Sequence, residues 1–269
     1  MKAGRKHDIV IIGAGNVAYH LAHQFKKAGH RILQVFSKTE EPAEFLAEEV
    51  QASFTDDIKA INRHGSLYLI AVNDDAVEIL AEQLHFPNAI ILHTCAMLPM
   101  EILEPMSDKH GVFYPLQTMT KGHELNFREI PVFIEASADD AGDEIYHLAK
   151  GISDKVLHAD LKKRKALHLA AVFANNFSNH LFHASSQLLA RSDMNLDILM
   201  PLIKETVRKI ESHKPYDVQT GPAKRGDMKT VEEHLELLND FQDFREIYLV
   251  MTESLIDTYK EGDSLRVYD

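Results

Sequence analysis

The stretch Gly13-Ala14-Gly15-Asn16-Val17-Ala18 has the residue types and spacing to hold a pyrophosphate. In a G-x-G-x-x-A series the first glycine permits a tight turn and the second lets backbone approach a phosphate with no Cβ in the way. The final small residue keeps the following helix close to the preceding strand. That chemistry requires a strand before the glycines and a helix after them, because the free N–H groups and positive dipole end of the helix face the anion. Ile9-Val10-Ile11-Ile12 supplies the strand, and Val17, Leu21, Ala22 and Phe25 recur at helical spacing until Gly29. Gly13, Ala14, Gly15, Asn16 and Val17 are the expected phosphate-binding residues.

The end of the second strand reports which dinucleotide such a loop takes. An acidic residue there accepts from a ribose 2′-hydroxyl and repels a 2′-phosphate. Here Phe36 is followed by Ser37, Lys38 and Thr39, a hydroxyl and a cation that suit a phosphate, so NADP(H) is favoured over NAD(H). Glu40 and Glu41 follow closely, and a longer second strand would reverse that preference. Lys38 also reads as a plain solvated loop residue.

A second group of polar residues lies on the amphipathic stretch 161–191. At ~100° per residue, His168, Asn175, Asn179 and Ser186 fall on one arc with Asn176 beside it, apart from an apolar face of Leu169, Phe173, Phe177, Leu181 and Leu188. Such a polar line faces solvent, satisfies backbone, or lines a wet cleft. An imidazole titrates near neutral pH, so His168 is a candidate proton donor or acceptor, set against the alternative of a structural histidine. Tyr114 and Gln117 flank Pro115 after a strand, where irregular backbone can aim them into a cleft. Thr220, Arg225 and Asp227 sit in a glycine-proline loop. Arg225 has the planar fork that clamps a carboxylate or phosphate, or else Arg225-Gly226-Asp227 is a surface turn with a local ion pair. His20/His23 and His180/His183 each put two imidazoles three residues apart with no accompanying ligand cluster, so no metal is assigned.

The elements that must position these groups alternate over residues 1–160. Strands are expected at 9–12, 32–36, 67–72 and 89–92, a weak one near 52–54, and later ones at 111–114, 132–135 and 155–157. Short apolar strands alternating with amphipathic helices predict an α/β fold, a doubly wound and mostly parallel sheet. Beyond residue 160 helical periodicity takes over through 161–191, 196–212 and 230–260, which predicts an all-helical second domain over 161–269. Two prolines and two glycines within 214–227 preclude a regular helix there.

The 269 residues are 45% hydrophobic and 26% charged, the profile of a folded chain. A net charge of −12 gives no electrostatic footprint for nucleic acid, and the one dense basic run, Lys162-Lys163-Arg164-Lys165, reads as a solvated helix start. The single cysteine, Cys95, precludes an internal disulfide and fits a reducing compartment. The apolar run at 9–12 is too short for a signal peptide and no run approaches the ~20 residues of a membrane span, so a cytoplasmic protein is expected.

Taken together, the glycine loop, Leu69-Ile70-Ala71-Val72-Asn73-Asp74-Asp75-Ala76, His93-Thr94-Cys95, Tyr114-Pro115-Leu116-Gln117-Thr118, the stretch from His168 to Asn176 and that from Thr220 to Asp227 carry a resemblance. Over nearly its whole length the chain resembles bacterial Rossmann-like NADP oxidoreductases whose helical C-terminal domain is of unknown function. These group with pyrroline-5-carboxylate reductase, 6-phosphogluconate dehydrogenase and deazaflavin-dependent NADP reductase. The resemblance implies that Val72, Asn73, Asp74, His93 and Thr94 border the nicotinamide, and strand carboxyl ends are where ligands of such sheets sit. Asp74 can also cap the following helix. Asn73 and Cys95 depart from the family pattern. Asn175-Asn176 resembles a paired Asn that meets substrate in related hydroxyacid dehydrogenases, but Val172 stands where those enzymes place a Lys, which leaves His168 as the substitute. The expectation is an NADP(H)-dependent oxidoreductase acting on a small polar substrate, a homodimer through its C-terminal helices. A cofactor-sensing protein of the same fold without turnover is the alternative.

Overall fold

A computed structural model describes residues 5–260 of the chain. The chain packs as two units, 1–176 and 177–269. The first is built on eight strands, β1 (Asp8–Ile12), β2 (Arg31–Phe36), β3 (Ser53–Thr55), β4 (Leu67–Ile70), β5 (Ile90–His93), β6 (His110–Pro115), β7 (Val132–Ala136) and β8 (Val156–His158). Their order across the sheet is β3-β2-β1-β4-β5-β6-β7-β8. All neighbours are parallel except β6 and β7, where Tyr114 faces Phe133 and Val112 faces Glu135 in an antiparallel register. The order reverses between β1 and β4, so the carboxyl ends of those strands open a crevice at the switch point.

Helices α1 (Asn16–Lys27), α2 (Glu40–Val50) and α4 (Asp139–Ile152) share one core with Ile9 and Ile11, and α3 (Asp74–Gln83) shares the other with Val10 and Ile12. Successive strand residues point to opposite faces, and both faces are covered, which is why β1, β4 and β5 read as unbroken apolar runs. Every strand expected from the sequence is present, the weak one included. β4 ends at Ile70, so Ala71 and Val72 belong to the loop beyond it.

Three expectations about the helices need correction. The stretch 161–191 is not one uniform α-helix: α5 (Leu161–Ala171) gives way to a π-helical segment (Val172–Phe177) before α6 (Ser178–Ala190). Wider π turns break the 100° arithmetic, so the single polar arc through His168, Asn175, Asn179 and Ser186 does not hold as calculated. The stretch 230–260 is two helices, α10 (Met228–Leu237) and α11 (Gln242–Tyr259), parted where Asn239 and Asp240 favour local turns. Within 214–227 two one-turn helices form, α8 (Pro215–Val218) and α9 (Pro222–Arg225), each with proline in its first turn, where no N–H is needed. With α6, the 3₁₀ turn Leu196–Leu199 and α7 (Met200–Ile210), helices α8 to α11 make up the second unit, while α5 belongs to the first. No described helix is long and apolar enough to cross a membrane.

Candidate functional site

The glycine loop leaves β1 through Gly13, whose N–H donates to the Phe36 carbonyl at 2.7 Å and whose φ of +114° is a left-handed value. A Cβ at Gly13 would collide with the Ala71 carbonyl, so only glycine fits between β1 and β4 here. Gly15 is different. It caps α1 with extended backbone, and a Cβ built on it meets nothing within 4 Å. The first helical bond runs from Tyr19 N to Gly15 O at 2.9 Å, so the N–H groups of Asn16, Val17 and Ala18 precede it. No side chain caps this end and no acidic residue occupies the first turn. An open, uncapped helix start behind a glycine is a fit for a pyrophosphate. Ala14 is buried, Val17 is half-buried, and Asn16 is exposed with its Oδ1 accepting from Lys121 N at 3.2 Å.

β2 ends at Phe36, and Glu40 and Glu41 lie in the first turn of α2, so the longer second strand considered above does not form. Ser37 N donates to Thr55 O at 3.2 Å and its hydroxyl lies 3.4 Å from that of Thr39. Lys38 is exposed, and among the described residues no ion pair engages it.

Past β4, Val72 is half-buried and Asn73 is the exposed N-cap residue of α3, so Asp74 stands in the first turn and is not the cap itself. Past β5, Thr94 N donates to Ile70 O at 3.1 Å. The His93 ring is fully buried, and its Nδ1 accepts from Cys95 N at 3.1 Å while Nε2 donates to Pro99 O at 3.3 Å. Burial, with Arg164 nearby, lowers its pKa to about 4. With a neutral ring bonded at both nitrogens, His93 shapes the loop, and any part it takes in a ligand site runs through its backbone. Burial, with the Asp74 carboxylate beside it, pushes the Cys95 thiol far up, so this cysteine is no thiolate nucleophile.

Arg164 overturns the reading of its basic run. It is fully buried: its guanidinium pairs with Glu135 of β7 and donates to Ala159 O at 3.0 Å and Leu98 O at 2.8 Å. One turn later His168 Nδ1 lies 3.3 Å from the Tyr114 hydroxyl. Tyr114 is part of β6 itself and not of a post-strand segment, while Gln117 is exposed, its Oε1 accepting from Thr118 N at 2.8 Å. No signal in Lys162-Lys163-Arg164-Lys165 separates the buried cation from its solvated neighbours. Only the four-residue spacing from Arg164 to His168 hints at a shared face.

Asn175 and Asn176 fall in the π-helical segment and are exposed. Asn179 and Arg225 belong to the second unit, also exposed. The Asp227 carboxylate caps α10, accepting from Thr230 N at 3.2 Å and the Thr230 hydroxyl at 2.8 Å, which holds it below the usual carboxylate range. The surface ion pair with Arg225 considered above is absent among the described residues. Gly13 to Val17, Ser37, Lys38, Val72 to Asp74, His93 and Thr94 thus gather at the carboxyl ends of β1, β2, β4 and β5. Tyr114 and His168 meet at β6 of the same sheet.

Residues 8–96 match the family described as NADP oxidoreductase coenzyme F420-dependent, and residues 130–255 match a domain of unknown function, DUF2520. No curated protein matches the chain. Among solved structures, the Bacteroides fragilis protein BF3122, described as a "putative NADP oxidoreductase", is 39% identical with a TM-score of 0.90, covering 94% of this chain and 98% of its own. A reductive aminase from Aspergillus terreus, solved with NADPH and ethyl levulinate, shares the fold at 15% identity and a TM-score of 0.72, over 96% and 95% of the two chains. The 1-pyrroline-5-carboxylate reductase of Streptococcus pyogenes does so at 14% and 0.62, over 94% and 99%. An uncapped glycine-loop helix at the switch point and near-complete coverage at 39% identity converge: the chain belongs to the NADP oxidoreductase family that joins an F420-dependent-type N-terminal domain to a DUF2520 domain.

Proposed function

We propose that the chain is an NADP(H)-dependent oxidoreductase of a small polar substrate carrying a carbonyl or imine. The observation that carries this reading is the α1 start: a glycine whose Cβ position is open, followed by N–H groups with no capping side chain. Gly13, Ala14, Gly15, Asn16 and Val17 would hold the pyrophosphate. Ser37 and Lys38, with no carboxylate at the strand end, would select the 2′-phosphate of NADP(H) over the bare ribose of NAD(H). Val72, Asn73, Asp74 and Thr94, with the backbone of His93, would border the nicotinamide. The reductive aminase that shares the fold was solved with NADPH, which supports the choice of cofactor.

When bound, the dinucleotide supplies hydride. The chain's own residues orient the substrate and exchange the proton that hydride transfer requires. His168 is the proposed proton donor, half-buried on α5 and ordered by the buried Arg164 one turn earlier. Asn175 and Asn176 are proposed to orient substrate, and Asn179 and Arg225 are further substrate-binding candidates on the second unit. Homodimer formation through the second unit is proposed from its exposed apolar side chains, among them Ile198, Leu202, Leu237 and Val250. A buried free Cys95 accords with a cytoplasmic setting.

The test is a screen of keto acids, aldehydes, imines and cyclic imines that follows NADPH absorbance with purified protein. Turnover with NADPH in preference to NADH is expected. Tight NADPH binding with no turnover across the panel would select the cofactor-sensing alternative.

A further inference from the structure

The contact between Tyr114 and His168 has a geometry that the rest of the unit enforces. In the antiparallel register of β6 and β7, Tyr114 faces Phe133 and the next-but-one position on β7 is Glu135. Two residues along a strand span about 6.7 Å. Four residues along an α-helix span about 6 Å. Helix α5 therefore meets the sheet at two matched points: Arg164 on Glu135, and His168 on Tyr114. The first is a buried ion pair with two further bonds to backbone carbonyls, so it fixes the height and rotation of α5 and brings the imidazole to the phenol.

A phenol is a better donor than an imidazole N–H, and an imidazole nitrogen is a better acceptor than a phenolic oxygen. The bond therefore runs from the Tyr114 hydroxyl to Nδ1 of His168. Burial pushes the Tyr114 pKa upward, so the phenol keeps the proton it donates. A ring that accepts at Nδ1 carries its hydrogen on Nε2, and among the described residues Nε2 has no partner.

We propose that Tyr114 is the positioning and proton-supplying partner of His168, holding the ring as the Nε2–H tautomer and completing a two-residue relay from phenol to substrate. This rests on the proposed reductase reading. As the substrate carbon accepts hydride, the π electron pair of C=O or C=N moves onto the heteroatom. The Nε2 hydrogen passes to that heteroatom as a proton and Nδ1 takes the phenolic proton of Tyr114; after product leaves, Nδ1 returns that proton to the phenolate and water supplies a new hydrogen to Nε2, which restores the starting tautomer. The ring gains one proton at Nδ1 for the one it gives from Nε2, so its charge does not change across the transfer. A neutral imidazole alone would be a poor acid. Coupling it to a phenol on the far nitrogen is what lets it deliver a proton.

Two measurements on the full chain test this, and they fail separately. Nitrogen-15 NMR of histidine-labelled protein reads the tautomer with no substrate present. Wild type should show His168 with Nε2 protonated and Nδ1 an accepting, hydrogen-bonded nitrogen, and Tyr114→Phe should move the Nδ1 resonance toward that of a free base. A protonated Nδ1 in neutral wild-type His168, or an Nδ1 resonance unchanged in Tyr114→Phe, overturns the proposal whatever the enzyme's activity. The second measurement uses any substrate found in the NADPH screen. Tyr114→Phe should lower kcat about tenfold or more with the KM for NADPH unchanged, and His168→Gln should lower it by roughly a hundredfold. A kcat in Tyr114→Phe equal to wild type overturns the relay. Absence of any turnover in wild type counts against the reductase reading, and the tautomer measurement then still decides the Tyr114–His168 bond.

Discussion

The two units of the chain bury their apolar side chains to very different extents. In the first, β1, β4 and β5 are sealed on both faces, and Ile9 to Ile12, Leu67 to Ile70 and Ile90 to Leu92 have almost no exposure. In the second, the buried residues are few and mostly small, among them Ala184, Ala223 and Val231. Meanwhile Leu202 is 64% exposed, Ile198 62%, Val250 65% and Leu237 76%. A sheet covered by helices closes its own core, whereas these helices leave apolar surface that burial against another surface would stabilise. The first unit thus closes its own core, and the second leaves the apolar surface on which the proposed association rests.

The sharpest way to break this comparison is to attack the frame of the first unit at Arg164. Arg164→Met removes the partner of Glu135 and the donors to Leu98 and Ala159, and should destabilise the protein by roughly 3–5 kcal/mol, the usual cost of breaking a buried ion pair. Denaturant titration measures it. A loss below about 1 kcal/mol would show that α5 is held by something other than this clamp.

Acid should act next, and on the same unit. His93 and His30 are held down at about 4, chiefly by burial, so each stays neutral when folded and takes a proton near 6.5 when unfolded. Because their folded pKa values are depressed, stability is fully present above about pH 6.5 and falls as pH drops toward 4, by on the order of 3 kcal/mol for the fully buried His93 ring and less for His30. Thermal melts across that window check the sign. Substituting His93→Asn should flatten part of the slope.

Ligand binding tests the site without testing the frame. Gly15→Val fills the open space over the α1 start and should weaken NADPH binding by about a hundredfold or more in calorimetry, with an unchanged circular dichroism spectrum. Equal affinity in the two proteins would remove the glycine loop from the site. The smallest effect on the fold itself is expected in the second unit. Leu202→Glu with Leu237→Glu should change the stability of a lone chain by no more than about 0.5 kcal/mol for each residue, since both side chains are already exposed. Sedimentation should nevertheless fall from a dimer to a monomer. A monomeric wild type would defeat the proposed association.

What the sequence made legible follows the same division. Unbroken apolar strands announce themselves because both faces of the sheet demand apolar residues at every position, whereas the three-residue edge strand β3, largely exposed, gave only the weak signal of Phe54. The glycine loop was readable because its spacing answers a local steric need. Arg164 was not, since a buried cation and a solvated one are the same letter, and what distinguishes them is Glu135, far off in the chain. The π-helical segment over Val172–Phe177 was hidden too, because nothing in the run Val-Phe-Ala-Asn-Asn-Phe marks a wider turn. The break at Asn239 and Asp240 had a compositional sign that helical periodicity on either side outweighed.

The Arg164 clamp also bears on how long the folded molecule persists. Its bonds join residues 29 and 66 positions away in the chain, so forming them early would demand closure of long loops before any neighbouring contact rewards it. Contacts of that span are expected to form after the rate-limiting barrier to folding, so Arg164→Met should speed the unfolding limb of a chevron and leave the folding limb nearly unmoved. On that expectation Arg164 is a latch on the native state, setting how long a folded molecule lasts more than how fast it is made.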